Sequence, residues 1–142
     1  WSFGVREEEL QKIVNQVRAK GAQLVVLLSH NGTDVDLKLA TRVTGIDVIL
    51  GGHTHDAMPA PSIVPNNGGK TLILHSGSHT KFLSVLDVQM KNGRLSDFRY
   101  RLLPIFANLI APDREMAAYI EKVRKPHKKK LEEKLAVTES LL

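Results

Sequence analysis

Three of the six histidines in this 142-residue chain lie just after runs of apolar residues. His30 follows the run 24–28, and His53 and His55 follow the run 46–50 through two glycines. Neutral imidazole is the commonest nitrogen ligand of zinc, manganese and iron in proteins. Residues two apart in an extended segment point the same way, so His53 and His55 can face one polar centre. The pattern indicates a metal site; the alternative is three loop histidines that bond to backbone groups.

The elements that must position these histidines are two strands joined by a helix. Apolar runs bounded by Gly and polar residues, with a helical pattern between them, are typical of buried parallel strands. We predict strands at 23–29 and 46–50, and between them a helix capped by Thr33 with Asp36. The buried face of this helix is predicted to contain Val35, Leu39 and Val43. Ligands of such sheets bind outside the carboxyl ends of the strands, so this βαβ unit delivers all three imidazoles to one edge.

The rest of the chain alternates between helical and extended patterns. The further predicted elements are a helix at 6–20, an active-site loop broken by Pro59, Pro61 and Pro65, strands at 70–75, 81–90 and 94–103, and a helix from Asp113 that Pro126 interrupts. The last two strands form a hairpin through Asn92-Gly93, since Asn-Gly between β-rich runs favours a tight turn. His75 is predicted to pack in the core and His127, within a lysine run, to be solvated.

Two motifs carry a family resemblance. Ser29-His30-Asn31-Gly32 and the segment 45–56, which reads GIDVILGGHTHD, resemble the second half of calcineurin-like metallophosphatases of the 5′-nucleotidase superfamily. The combination with further segments is more similar to the SoxB family, the thiosulfohydrolases of bacterial sulfur oxidation. These further segments are 1–9, 34–40, 76–82 and 138–142. The GGHTHD motif alone specifies only the superfamily, whereas the combination points to the SoxB family.

The resemblance implies an α/β fold that is part of a four-layer αββα metallophosphatase-like sandwich. A βαβ unit would be followed by a β-meander, and residues 1–108 would form the C-terminal half of that domain. Residues 109–142 would be a linker helix towards a second domain. The family's earlier Asp-x-His, Gly-Asp and Gly-Asn-His-Glu/Asp motifs are not found in the sequence. We therefore expect a fragment of a larger enzyme that holds half of an active site, completed by N-terminal and C-terminal parts.

The resemblance also implies roles for individual residues. His30 and His53 would bind one metal ion and His55 a second one. The family's metal is manganese, although zinc or iron also suits such ligands. His79, which follows a strand and a Ser-Gly-Ser turn, is the candidate catalytic histidine; a loop histidine with a backbone partner is the alternative. Asn31, next to His30, is the candidate substrate-binding residue.

The implied reaction is hydrolysis by a metal-activated hydroxide. A cysteine S-thiosulfonate on a SoxYZ-type carrier protein would lose sulfate, and the resemblance implies a periplasmic enzyme. One alternative is a 5′-nucleotidase-type phosphoesterase with the same metal site. A second alternative is an inactive truncated chain that lacks half of that site. A third is a set of histidines that bind one adventitious ion without turnover.

The charge pattern argues against nucleic acid as a partner. Residues 121–134 hold seven Lys/Arg against three Glu, so this one segment accounts for nearly all of the net charge of +5. Aromatic residues make up 5% of the chain, which leaves no stacking platform for single strands. No apolar run reaches the roughly 18 residues that suggest a membrane span, so no membrane partner is expected either.

Overall fold

The structure is a computed structural model that describes residues 4–138. The chain divides into two compact units with a boundary between Ile105 and Phe106. The helices and strands of the first unit are α1 Glu7–Ala19, β1 Val26–Leu28, α2 Thr33–Arg42, β2 Val48–Gly51, β3 Ser62–Asn66, β4 Gly69–His75, β5 Phe82–Lys91 and β6 Arg94–Pro104. The predicted domain boundary between 108 and 109 stays a prediction.

A four-stranded mixed sheet is the centre of the first unit. Its strand order is β1-β2-β4-β3. Strand β2 pairs in parallel with β1 and with β4, and β3 is antiparallel to β4 at one edge. The carboxyl ends of β1, β2 and β4 therefore meet at the same edge of the sheet. The predicted α/β class and the βαβ unit are confirmed.

Apolar side chains cover both faces of this sheet. On one face, a core cluster joins the sheet to α1 and α2; its buried members are Val14, Leu39, Ala40, Val43, Ile46, Ile49, Val64 and Ile73. On the other face, Val48, Leu72 and Leu74 pack with residues of the β5–β6 hairpin. Burying apolar surface on both faces is the main stabilising contribution to such a layered fold. The observed layers are helices, a sheet and a hairpin.

The prolines between β2 and β4 were wrongly expected to lie in a loop throughout. Residues 62–66 form β3, which includes Pro65. A proline lacks the N–H that a central strand must donate, so it is tolerated here because β3 is an edge strand. The strands predicted as one meander are also divided between two sheets, since β4 joins the parallel sheet while β5 and β6 pair with each other.

Helix α2 begins differently from the prediction. Gly32 occupies the N-cap position with a φ of 90°, and no side chain caps the helix. Thr33 is the first helical residue, so the predicted Thr33–Asp36 cap is wrong. The buried face contains Leu39 and Val43 as predicted, but Asp36 is fully buried, whereas Val35 is 38% exposed. The prediction is wrong only at Val35, because the carboxylate of Asp36 takes the buried position in that turn.

The second unit contains a short helical segment. Helix α3 spans Arg114–Arg124, a 3₁₀ turn spans Lys125–His127, and α4 spans Lys128–Leu131. The side chain of Asp113 caps α3 by accepting a hydrogen bond of 2.7 Å from the backbone N–H of Met116. The predicted interruption at Pro126 is confirmed, as the regular helix ends just before it. Within the described residues, no helix is long and apolar enough to cross a membrane.

Candidate metal centre

Four histidines lie at the carboxyl-terminal edge of the central sheet. His30 follows β1, His53 and His55 follow β2, and His79 follows β4 through the segment 76–78. All four side chains are exposed. Parallel pairing of the three strands explains their convergence, because each histidine leaves the sheet at the same edge. The two remaining histidines lie elsewhere: His75 is buried in the core and His127 is exposed, as predicted.

The four edge histidines form two pairs. The ring centroids of His30 and His53 are 5.3 Å apart with an interplanar angle of 72°. Those of His55 and His79 are 5.8 Å apart with an angle of 73°. In each pair, the two histidines follow strands that are neighbours in the sheet. The structure places His79 beside His55, a pairing that the sequence left open.

Three of these four histidines have strained backbones. The φ angles of His53, His55 and His79 are 86°, 61° and 55°. A residue with a side chain pays on the order of 1–3 kcal/mol to remain in this left-handed region. Such strain persists where the surrounding structure imposes it, and it clusters at functional sites. The concentration of strain in these residues supports a function for the sheet edge that carries the four histidines, called the histidine edge below.

Gly51 and Gly52 leave space for close neighbours. A Cβ on Gly51 would overlap Nε2 of His75 and lie 2.5 Å from Oδ2 of Asp36. A Cβ on Gly52 would lie 3.1 Å from Nδ1 of His30. Because glycine has no Cβ, it lets neighbouring groups come close to the backbone. The close approach is observed, and the neighbours are side chains of this chain.

The loop that carries His53 and His55 is tied to the start of α2. The carboxylate of Asp56 accepts hydrogen bonds from the hydroxyls of Thr33 and Thr54, the latter at 2.6 Å. The backbone N–H of Thr33 also faces the hydroxyl of Thr54 at 3.4 Å. The hydrogen bond from Thr33, followed by that from Thr54, lowers the pKa of Asp56 below its ordinary value. This anchor holds the middle residue of the His-x-His pair and the residue that follows it.

We expect Thr33→Val to raise the pKa of Asp56 towards its ordinary value. The change removes the largest cause of the lowered pKa, and carboxyl chemical shifts followed through a pH titration measure the result. Because the folded-state pKa is lowered, the anchor stabilises the fold above the unfolded-state pKa and is lost as the pH falls through the folded-state pKa. Thr41→Val is the matched control, since the Thr41 hydroxyl bonds only to the backbone of Lys38 in its own helix. An unchanged pKa in Thr33→Val would contradict the anchor.

The spacing within each histidine pair fits a shared metal ion. Two imidazoles on one tetrahedral ion, with metal–nitrogen bonds of about 2.1 Å, have ring centroids about 5 Å apart. Both observed separations lie close to this value. Each pair offers two nitrogen donors, and residues 4–138 contain no group of three or more His, Cys, Asp or Glu side chains that could hold an ion. A catalytic zinc site uses about three protein ligands, so neither pair alone would complete one.

Asn31 directly follows His30, a member of the first pair. Its side-chain amide donates to the hydroxyl of Ser29 at 2.9 Å, and the residue is exposed. One N–H and the amide oxygen are left for other partners. The substrate-binding role of Asn31, the metal roles of His30, His53 and His55, and the catalytic role of His79 remain predictions.

Sequence reasoning missed the contribution of Asp36 and Ser29. Asp36 was interpreted only as part of a helix cap, yet its carboxylate is buried beneath the histidine edge. A signal was available in the sequence: Asp36 stands at helical spacing with Leu39, Ala40 and Val43, so a charged residue occupies the apolar stripe. A buried charge on such a stripe needs partners, and the neighbouring strand ends provide them.

Comparison with known proteins finds no matching family model but several similar proteins. The sulfate thiohydrolase SoxB of Thermus thermophilus, solved with glycerol, is 40% identical; the match covers 90% of this chain and 23% of that one, with a TM-score of 0.82. A 5′-nucleotidase precursor, also from Thermus thermophilus, is 28% identical over 95% of this chain and 29% of that one, with a TM-score of 0.84. The trifunctional nucleotide phosphoesterase YfkN of Bacillus subtilis is 39% identical over 45% of this chain and 4% of its own length.

The layered α/β fold and the histidine edge define the metallophosphatase-like class of structures. The chain belongs to the superfamily that contains the 5′-nucleotidases and SoxB, as the similarity over nine-tenths of its length shows. It spans about a quarter of the length of the two solved proteins. The expected family membership is confirmed at this level.

Proposed function

We propose that this chain is the part of a metal-dependent hydrolase that supplies two histidine pairs to its metal centre. The observation that carries the proposal is the pairing of four imidazoles at one sheet edge, at separations that suit shared ions. Backbone strain at three of these histidines adds support. Their side chains are exposed, so tight packing does not explain the strain. Similarity to proteins named as a thiohydrolase, a nucleotidase and a phosphoesterase supports the hydrolase class.

The two pairs would divide the work between two divalent ions. His30 and His53 would hold one ion, and His55 with His79 would hold the other. This assignment keeps His79 near the reacting centre but gives it a ligand role in place of the predicted catalytic role. Bound ions would supply a hydroxide nucleophile at neutral pH and stabilise developing negative charge. Manganese is the proposed metal, and nitrogen donors also suit zinc or iron.

The proposed substrate is a cysteine S-thiosulfonate. Attack of hydroxide on the terminal sulfur would break the sulfur–sulfur bond, release sulfate and leave a persulfide on the cysteine. The free N–H of Asn31 would donate to an oxygen of the sulfonate. The 40% identity to a sulfate thiohydrolase, against 28% to a 5′-nucleotidase precursor, supports this choice. A SoxYZ-type carrier protein in the periplasm is the partner that follows from it.

Parallel assays separate this reaction from the nucleotidase alternative. A full-length enzyme that contains this segment would be incubated with Mn²⁺ and either a peptide cysteine S-thiosulfonate or adenosine monophosphate, and sulfate and phosphate release would be measured. We expect sulfate release that His53→Ala abolishes and that His127→Ala leaves unchanged. The His127 control removes an exposed histidine from the second unit. Phosphate release alone would favour the nucleotidase, and bound metal without either product would favour the inactive chain.

One observation favours a scaffold role for the isolated chain. Strand β1 lies at an edge of the sheet, and its side chains Val26 and Leu28 are 44% and 78% exposed. A flat edge with exposed apolar residues is prone to pair with another strand. The site would then be completed by association with a further polypeptide that supplies the missing ligands.

We expect Leu28→Lys to reduce self-association of the isolated chain. A lysine on an edge strand opposes strand pairing through charge and hydration. Gel filtration with light scattering would measure the change in oligomeric state. Leu135→Lys is the matched control, because Leu135 is 88% exposed but lies in the second unit. A wild-type chain that is monomeric at all concentrations would contradict the expectation.

A further inference from the structure

A buried carboxylate lies directly beneath the histidine edge. Asp36 is 0% exposed and its partner His75 is 1% exposed, so both are fully removed from water. Asp36 extends from α2, while His75 is the last residue of β4. Burying a charged group costs several kcal/mol unless partners replace the lost water. A helix that only had to fill the core would gain more from an apolar residue at this position.

The carboxylate joins the ends of two strands. Its Oδ1 accepts the hydroxyl of Ser29, just after β1, at 2.5 Å. Its Oδ2 lies 3.2 Å from Nε2 of His75, at the end of β4. Gly51, at the end of β2 between them, admits both side chains because it has no Cβ. The carboxylate therefore spans the edge from β1 to β4.

The network continues from Asp36 towards the candidate metal pair. The hydroxyl of Ser29 donates to Asp36 and accepts a hydrogen bond of 2.9 Å from the amide of Asn31. Because a hydroxyl has one proton, donation to Asp36 leaves its lone pairs directed to other donors. Asp36 therefore sets the orientation of the Ser29 hydroxyl, and Ser29 in turn orients the side chain of Asn31. His30 stands between these two residues in the chain.

The Oδ2 atom of Asp36 indicates which ring nitrogen of His75 carries the proton. An ionised carboxylate only accepts, so Nε2 of His75 carries the proton that faces it. Nδ1 of His75 is buried and has no hydrogen-bond partner in the structure. A bare Nδ1 leaves only an acceptor unpaired, whereas a protonated Nδ1 would leave a donor and a charge unpaired. The contacts thus favour one tautomer, with the proton on Nε2.

We propose that Asp36 is a positioning residue for the histidine edge. It acts through Ser29 to hold the segment that carries His30 and Asn31, and through His75 to fix that segment against β4. Groups that hydrogen-bond behind a metal ligand fix its orientation, and their removal costs about 10- to 100-fold in metal affinity. The metal-related part of the proposal rests on the proposed function; the orientation of Ser29, Asn31 and His75 does not.

Ser29→Ala tests the branch of the network that runs from Asp36 through Ser29 to Asn31. It removes the link to Asn31 but leaves Asp36 and His75 in contact, and the side chain is only partly buried, so the fold should persist. We expect a roughly tenfold loss of Zn²⁺ affinity by calorimetry. In the absence of metal, the Asn31 side-chain amide signals and the His30 ring signals should shift in the NMR spectrum. The Nε2-protonated tautomer of His75 should be retained.

Ser76→Ala is the matched control. Ser76 is also a partly buried serine after a strand of this sheet, but its hydroxyl pairs with Ser84 at 2.6 Å, away from Asp36. We expect wild-type Zn²⁺ affinity and unchanged Asn31 signals in this variant. Equal effects in Ser29→Ala and Ser76→Ala would assign the loss to general packing and overturn the positioning role.

Asp36→Asn tests the contact between Asp36 and His75. The amide oxygen can still accept from Ser29, while its NH₂ group would face His75, so His75 must present Nε2 as an acceptor. We expect the His75 proton to move to Nδ1, which ¹⁵N shifts of the ring report directly. An unchanged tautomer would overturn the assignment, and wild-type Asn31 signals in Ser29→Ala would overturn the positioning role. If the wild-type chain binds no zinc, the proposed function fails, yet these metal-free signals still decide the role of Asp36.

Discussion

Replacing His53 with glycine is expected to have opposite effects on metal binding and on stability. Zn²⁺ affinity should fall on the order of 100-fold or more, because a direct ligand is lost and even supporting groups contribute 10- to 100-fold. The free energy of unfolding should rise by about 1 kcal/mol, because glycine adopts the φ of 86° without the cost that histidine pays. Calorimetry and urea unfolding measure the two effects.

His30→Gly is the matched control for this prediction. His30 belongs to the same pair but has no positive φ, so its replacement should weaken metal binding without any gain in stability. Glycine at an unstrained position increases the entropy of the unfolded chain, which lowers stability slightly. Equal stability changes in the two variants would contradict strain at His53. Wild-type zinc affinity in both would contradict the ligand assignment.

Gly51→Ala should destabilise the chain by about 3 kcal/mol. The added methyl group would overlap the ring of His75 and crowd the carboxylate of Asp36, and both are held by packing on all sides. Overfilling a packed interior costs about 1–3 kcal/mol, and separating a buried carboxylate from its hydrogen-bond partner adds to this cost. Denaturant unfolding measures the loss, and the metal-free His75 ring signals should shift with it.

Gly69→Ala separates this packing effect from backbone strain. Gly69 has a φ of 133° but no atom within 4 Å of an added Cβ. Only backbone strain should therefore destabilise the Gly69→Ala variant, by about 1–2 kcal/mol. The His75 signals should stay unchanged in that variant. A Gly51→Ala protein as stable as the wild type would show that the strand end can move, and the tight contact with Asp36 would then be wrong.

The position of the histidines followed from sequence because it depends on local patterns. An apolar run that ends in glycine or serine indicates a strand end, and parallel strands share a carboxyl edge. His30, His53 and His55 were placed at that edge from these rules alone. The hairpin through Asn92-Gly93 followed in the same way, since Asn92 and Gly93 adopt the positive φ angles that a tight turn needs.

Features that depend on contacts between distant segments did not follow. The edge strand β3 was missed because Pro65 disfavours a strand, and only its place beside β4 makes the proline acceptable. The first position of the buried face of α2 was misassigned to Val35 because Asp36 is polar, and only the approach of Ser29 and His75 explains the burial of Asp36. The His55–His79 pair required the fold itself, because 24 positions separate the two residues in the chain.

The central claim is that the edge histidines bind metal in two pairs. Imidazole ¹H–¹⁵N spectra recorded during a Zn²⁺ titration of the whole chain test it most directly. The signals of His30 and His53 should change together, as should those of His55 and His79. Those of His75 and His127 should stay constant, because His75 is buried against Asp36 and His127 lies in a lysine-rich segment whose positive charge disfavours cation binding. Zinc that perturbs only His127, or that leaves all four edge histidines unchanged, would contradict the claim.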